Sequence, residues 1–211
     1  MGNQVEDLIE TFETEAQIER DPEDTPEIGI IMGSDSDLPT MLTGGSRPGA
    51  YDALVDELDF GEVTDYDEPP NERFTFESYV VSAHRTPRLM YAYAETAAAR
   101  GIEVIIAGAG GKSADLPNMT ASIAYPLPVI GVPVDEKSVD SVIGMPVGAP
   151  IVAVDAGKSF NAAMFAVQLL AGRYPELGDR LEAFHTTQSE GVAEVSRDLF
   201  HSGAQGFRDR P

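Results

Sequence analysis

The strongest chemical signal in this sequence is the run SAHRTP at residues 82–87, which sets a histidine beside an arginine where a helix would begin. An imidazole changes charge near neutral pH and can carry a proton. A guanidinium can hold a phosphate or carboxylate through paired hydrogen bonds. Thr86 followed by Pro87 reads as an N-cap and first-turn pair, so His84 and Arg85 fall between a strand end and a helix start. A lone histidine in such a place is more often structural. The adjacent arginine tips the reading towards a site in which His84 transfers protons, with Ser82 beside it.

Two more runs have the same placement. GSDSDLP at residues 33–39 offers Ser34, Ser36 and Asp37 at a helix opening, where backbone amides and hydroxyls can receive a phosphate. An ordinary helix cap would read the same way. AGAGGKSADLP at residues 107–117 has Gly108, Gly110 and Gly111, which let backbone approach a ligand, followed by Lys112, Ser113 and Asp115. Such runs also make plain turns. This one matches neither the spaced dinucleotide fingerprint nor a phosphate loop, which disfavours NAD and ATP. GMPVGAP at residues 144–150 and DAGKSFNAA at residues 155–163, with Lys158 and Asn161, are weaker candidates.

Composition removes several chemistries. The chain has no cysteine, which excludes thiolate nucleophiles, disulfides and Cys-ligated metals. Only three histidines occur, two of them (His185 and His201) near the C-terminus, so a histidine-rich metal centre is not expected. No Gly-x-Ser-x-Gly elbow is present. The expected site uses no metal and no cofactor.

The elements that must position these loops follow from patterning. Apolar runs at residues 27–33, 78–84, 102–108, 127–133 and 149–157 alternate with helical patterns at 86–100, 115–124, 138–144 and 158–171. Strands apolar on both faces belong to a parallel sheet covered on both sides. Right-handed crossovers then give an α/β fold, a three-layer α/β/α sandwich with ligands at the carboxyl ends of the strands. Residues 28–172 are expected to form the catalytic domain. Before it, residues 1–27 read as an acidic helix, with Val5, Leu8, Ile9, Phe12 and Ile18 at helical spacing, and a linker. An acidic insertion at about 43–77 interrupts the first helix of the domain, although a helix at 51–58 is expected to survive. Residues 173–211 read as a C-terminal helix that packs on the domain or on a neighbouring subunit, with a frayed end.

The formal charge of −22 comes from 36 acidic and 14 basic residues and is uneven. Residues 1–27 and 51–78 each hold ten acids and one base, whereas residues 79–171 hold seven acids and six bases. Nucleic acid is therefore not an expected partner. An acidic, lysine-poor periphery around a balanced centre suits a protein kept soluble in concentrated salt, and a halophilic source is expected. Acidic tails on a mesophilic enzyme are the alternative. No apolar run approaches the roughly 18 residues of a membrane helix. The acidic N-terminus does not read as a signal peptide, so a cytoplasmic protein is expected.

Together these runs resemble the N5-carboxyaminoimidazole ribonucleotide mutases, which are also described as the catalytic subunit of phosphoribosylaminoimidazole carboxylase. The resemblance extends from Ile28 to about Ala171 through GIIMGSDSDLPTM, VVSAHRTP, AGAGG followed by LPNM, LPVIGVPV and the Met-Pro of GMPVGAP. It implies a flavodoxin-like sheet, a homo-octamer and no cofactor. It further implies that Ser34, Asp37 and Arg85 bind a ribonucleotide while His84 exchanges protons as carboxylate moves from the exocyclic nitrogen to ring carbon C4. An ATP-dependent N5-carboxylating synthetase would supply that substrate. Direct carboxylation of aminoimidazole ribonucleotide by CO2 is the near alternative; a flavin-binding module is disfavoured because the strand-end loops have almost no aromatic residues. Where the family commonly reads AGAGGAAHLP, this chain reads AGAGGKSADLP, one residue longer and without the histidine. Lys112, Ser113 and Asp115 are the candidates to replace it.

Overall fold

A computed structural model describes residues 3–208 of the protein. Six parallel strands, β1 (Ile28–Met32), β2 (Gly61–Glu62), β3 (Thr75–Val80), β4 (Val104–Ala109), β5 (Val129–Pro133) and β6 (Val152–Ala153), form one sheet in the order β2-β3-β1-β4-β5-β6. Every residue of β1, β4 and β5 is buried, the pattern of strands covered on both faces. Against one face lie α1 (Gln4–Glu15), α3 (Pro87–Thr96), α4 (Leu116–Ile123) and α5 (Val139–Ile143). The other face carries α2 (Leu38–Met41), a π-helical turn at Asp52–Glu57, α6 (Ser159–Ala171) and the start of α7 (Pro175–Arg208). The result is the expected three-layer α/β/α sandwich.

The chain leaves β1 towards β3 on one side and then crosses to β4 on the other. β1 and β4 therefore flank the switch point, and a crevice opens beyond their carboxyl ends. Gly108 in β4 lets α2 close on that point, because a Cβ there would stand 2.1 Å from Met41 Sδ.

Four details differ from the sequence reading. β3 starts at Thr75 and ends at Val80, so the SAHR run is a loop beyond the strand and not its end. The expected strand start at residue 78 excluded Glu77, an acid whose side chain is 1% exposed and paired with Arg100. The short edge strand β2 lies inside the acidic insertion, where no strand was expected. Finally, α1 lies within the folded unit instead of preceding it: Phe12 is fully buried and meets Tyr79 and Tyr93 edge-on at 4.9 and 5.3 Å.

The segment at residues 43–50 is a closed excursion. Its ends meet where Tyr51 N donates to Leu42 O, and Asp52 accepts from Thr43 Oγ1 and Gly49 N at 2.6 Å each. Downstream, α7 runs to Arg208 with one non-helical residue, Gly203, where a frayed tail was expected; residues 209–211 lie outside the described residues. None of the helices among the described residues is long and apolar enough to cross a membrane.

Candidate active site

A cleft of about 590 Å³ lies at the carboxyl ends of β1, β3, β4 and β5. Three of its walls are the loops singled out from sequence, and the fold brings them together from positions nearly 80 residues apart. Of the expected site residues, Ser34, Ser36, Asp37, Ser82, His84, Arg85, Gly110, Gly111 and Asp115 line it.

The first wall follows β1. Ser34 takes the N-cap position of a 3-10 turn, where its hydroxyl accepts from Ser36 N at 3.4 Å and donates to Asp35 Oδ1 at 2.9 Å. Asp37 is 7% exposed. Burial pushes its carboxyl above the usual carboxylate range, and the Asp135 and Asp35 charges push the same way against the nearby Arg85. Gly110 lies beside this carboxylate, and a Cβ there would make ordinary contact with Asp37 Oδ1 at 3.4 Å.

The second wall is the loop after β3. Its shape is fixed by Ser82 and Thr86: Ser82 N donates to Thr86 Oγ1 at 2.9 Å, and Ser82 Oγ accepts from Arg85 N at 3.2 Å. Thr86 does precede Pro87 at the start of α3, but its hydroxyl closes this loop and does not cap the helix. Arg85 crosses the cleft and donates through Nη2 to Gly33 O at 2.7 Å, tying the second wall to the first. His84 is exposed in the cleft and its Nε2 lies 2.9 Å from Asp115 Oδ2.

The third wall is the Gly-rich loop after β4. Gly111 has φ +81°, a left-handed conformation that glycine adopts without strain. Beyond it the chain turns outward. Lys112, expected at the site, is absent from the lining; it is exposed and its carbonyl is held by Ser141 Oγ at 2.7 Å. Ser113 and Asp115 return to the cleft instead. Neither Lys158 nor Asn161 lines it, because α6 begins beyond β6 at the far edge of the sheet.

The fourth wall was missed in the sequence. Val134 and Asp135 follow β5 and line the cleft, and Asp135 Oδ2 accepts from Gly111 N at 3.4 Å. The other carboxylate oxygen caps the next turn, accepting from Lys137 N and Ser138 N. The strand-end rule that located the other loops applies equally to LPVIGVPV and would have pointed to this residue.

A doubly wound parallel sheet with small polar loops at its switch point defines a small-molecule enzyme site of the flavodoxin-like class. Residues 63–191 match the AIR carboxylase family, and the chain belongs to that family. It is 40% identical over 190 residues to the N5-carboxyaminoimidazole ribonucleotide mutase of Mycobacterium tuberculosis, covering 87% of this chain and 96% of the relative. The mutase of Thermotoga maritima is 39% identical, with 86% and 96% covered. A phosphoribosylaminoimidazole carboxylase of Schizosaccharomyces pombe is 39% identical over 89% of this chain but only 31% of its own length. The crystal structure of Treponema denticola PurE superposes with a TM-score of 0.62 at 19% identity, covering 82% of this chain and 98% of that one, and supports the fold.

Proposed function

We propose that the protein converts N5-carboxyaminoimidazole ribonucleotide to 4-carboxy-5-aminoimidazole ribonucleotide, a step of purine biosynthesis, with His84 as general acid and base. The observation that carries this reading is the match to mutases over almost their whole length, whereas the carboxylase-named relatives are about threefold longer than the matched region. That difference in length favours the mutase over direct carboxylation.

In this reading Arg85, Ser34 and Ser36 hold the phosphate and ribose, Asp37 orients the ribose, and Ser82 with Gly110 and Gly111 shapes the space for the ring. The exocyclic N–C bond breaks, its electron pair stays on nitrogen, and protonated His84 delivers a proton there. The released CO2 stays in the cleft. Ring C4 then attacks it, and His84 takes the C4 proton, so the enzyme ends as it began and the net reaction is an isomerisation. No added bicarbonate, nucleotide cofactor or metal enters the balance. The acidic periphery fits a halophilic setting, the exposed length of α7 fits assembly into an octamer, and an ATP-dependent N5-carboxylating synthetase is the functional partner.

The test is turnover of synthetic N5-carboxyaminoimidazole ribonucleotide in molar KCl without bicarbonate, by wild type and by His84→Asn. Rapid product formation by wild type alone supports both reaction and residue. Turnover that starts only from aminoimidazole ribonucleotide and requires bicarbonate refutes the mutase reading, and full activity of His84→Asn refutes the mechanism.

A further inference from the structure

The Asp115 side chain reaches from the start of α4 to His84 on the neighbouring loop. Asp115 opens α4 with helical backbone (φ −81°, ψ −14°), and its side chain makes no hydrogen bond to the backbone amides of the first turn, which leaves it free to face the cleft. Its Oδ2 lies 2.9 Å from His84 Nε2 across the cleft. With side chains 60% and 46% exposed, the pair contributes little stability. A contact between two cleft-lining side chains from different loops that adds little stability points to function.

We infer that Asp115 is a positioning residue that fixes the tautomer and orientation of His84, a role that rests on the proposed mutase reading. A carboxylate only accepts hydrogen bonds, so in the neutral ring the proton must sit on Nε2 and the lone pair on Nδ1. Nδ1 is then the nitrogen that exchanges a proton with the substrate, while Nε2–H remains with Asp115 throughout. This gives Asp115 a role other than ligand binding. It also explains how the changed Gly-rich loop works: the loop that lacks a histidine presents a carboxylate to the histidine of the neighbouring wall. Lys112 lies outside the cleft lining, and the loop's hydrogen bond to His84 comes from Asp115.

The experiment uses Asp115→Asn, Asp115→Ala and Asp115→Glu in the full chain, with steady-state kinetics and 15N NMR of histidine-labelled free enzyme. Asp115→Asn and Asp115→Ala should lower kcat by about 10²-fold, at the low end of what positioned proton transfer contributes, with KM within roughly threefold. Asp115→Glu should recover part of the loss. In wild type, the neutral His84 ring should give the Nε2–H pattern, and this should be lost in Asp115→Ala. An unchanged kcat in both Asn and Ala variants overturns the inference, as does a loss confined to KM, which would make Asp115 a substrate contact. The NMR reading needs no substrate. If wild type failed to turn over the proposed substrate, the mutase reading would fall, while an Nδ1–H ring in wild type would overturn the positioning role by itself.

Discussion

Replacing Glu77 with Ala should destabilise the protein by about 3–5 kcal/mol, the loss expected when one partner of a buried ion pair is removed. The structure gives this pair few alternatives. Glu77 and Arg100 side chains are each 1% exposed, with Arg100 Nη1 at 2.5 Å from Glu77 Oε1. The other partners of the guanidinium are Tyr66 OH at 3.0 Å, Thr96 Oγ1 at 3.2 Å, Tyr93 O at 3.4 Å and the ring faces of Phe12 and Tyr93. None of these is an anion, so removal of Glu77 leaves a desolvated cation. Replacing both residues with Met removes the charges together and should cost far less than the sum of the two single changes. Because the pair is sheltered, molar KCl should not rescue the single variants, as it would an exposed pair. Urea unfolding followed by far-UV circular dichroism in 2 M KCl, for wild type, Glu77→Met, Arg100→Met and Glu77→Met/Arg100→Met, with Glu77→Ala alongside, gives the cycle. Single losses under about 1 kcal/mol, or a double loss equal to the sum of the singles, would refute the reasoning.

Three further outcomes follow from other parts of the fold. Burial pushes the Glu27 carboxyl up from 4.5 to about 7, against the opposing Thr75 amide and Arg73. The folded state therefore holds a proton that the unfolded chain releases, and the contribution is present below about pH 4.5 and lost as pH rises to about 7, up to about 3 kcal/mol; urea midpoints at pH 5 and 8 should show this slope in wild type and not in Glu27→Gln. Phe12→Ala should cost about 3–5 kcal/mol, as for a large core aromatic, and a chain beginning at Ile28 should lose at least as much; unchanged thermal unfolding would mean that α1 is not part of the core. Raising KCl from 0.1 to 2 M should raise the melting temperature by about 5 °C or more, roughly 2 kcal/mol for a chain of this size, as screening relieves the −22 charge; no change would remove the halophilic reading.

The parts of the fold that were legible in the sequence are those in which burial leaves its mark on one short segment. β1, β4 and β5 are apolar on both faces and could be read from five or six residues each. Glu77 shows the limit: a charged residue in a strand looks like solvent-facing loop unless its partner is known, and Arg100 lies 23 residues away. Phe12 shows the same limit from another direction. Helical spacing marked it as one face of a helix, but an acidic helix gives no sign in sequence that its apolar face is closed by Tyr79 and Tyr93. Pairings between distant segments are tertiary facts, and they decided where the domain begins.

The same distinction divides the cleft. Ser34, Asp37, His84 and Arg85 stood out because small polar and titratable residues directly after apolar strands are hard to explain by packing alone. Asp135 did not, because its DEKS turn forms a capping box with a sufficient structural reason for the acid. Only the fold shows that one of its oxygens also faces Gly111 across the cleft. Asp115 is the converse case. Sequence offered it with Lys112 and Ser113 as equals, and the left-handed Gly111 separates them by turning Lys112 outward before the chain returns. The Arg85 contact to Gly33 O then ties the loops after β1 and β3, while the Asp115 contact to His84 ties those after β3 and β4. His84 is thus held by a carboxylate from one neighbouring loop, and the arginine beside it reaches the backbone of the other. A change in either outer loop should consequently be felt at His84 even where it touches no substrate.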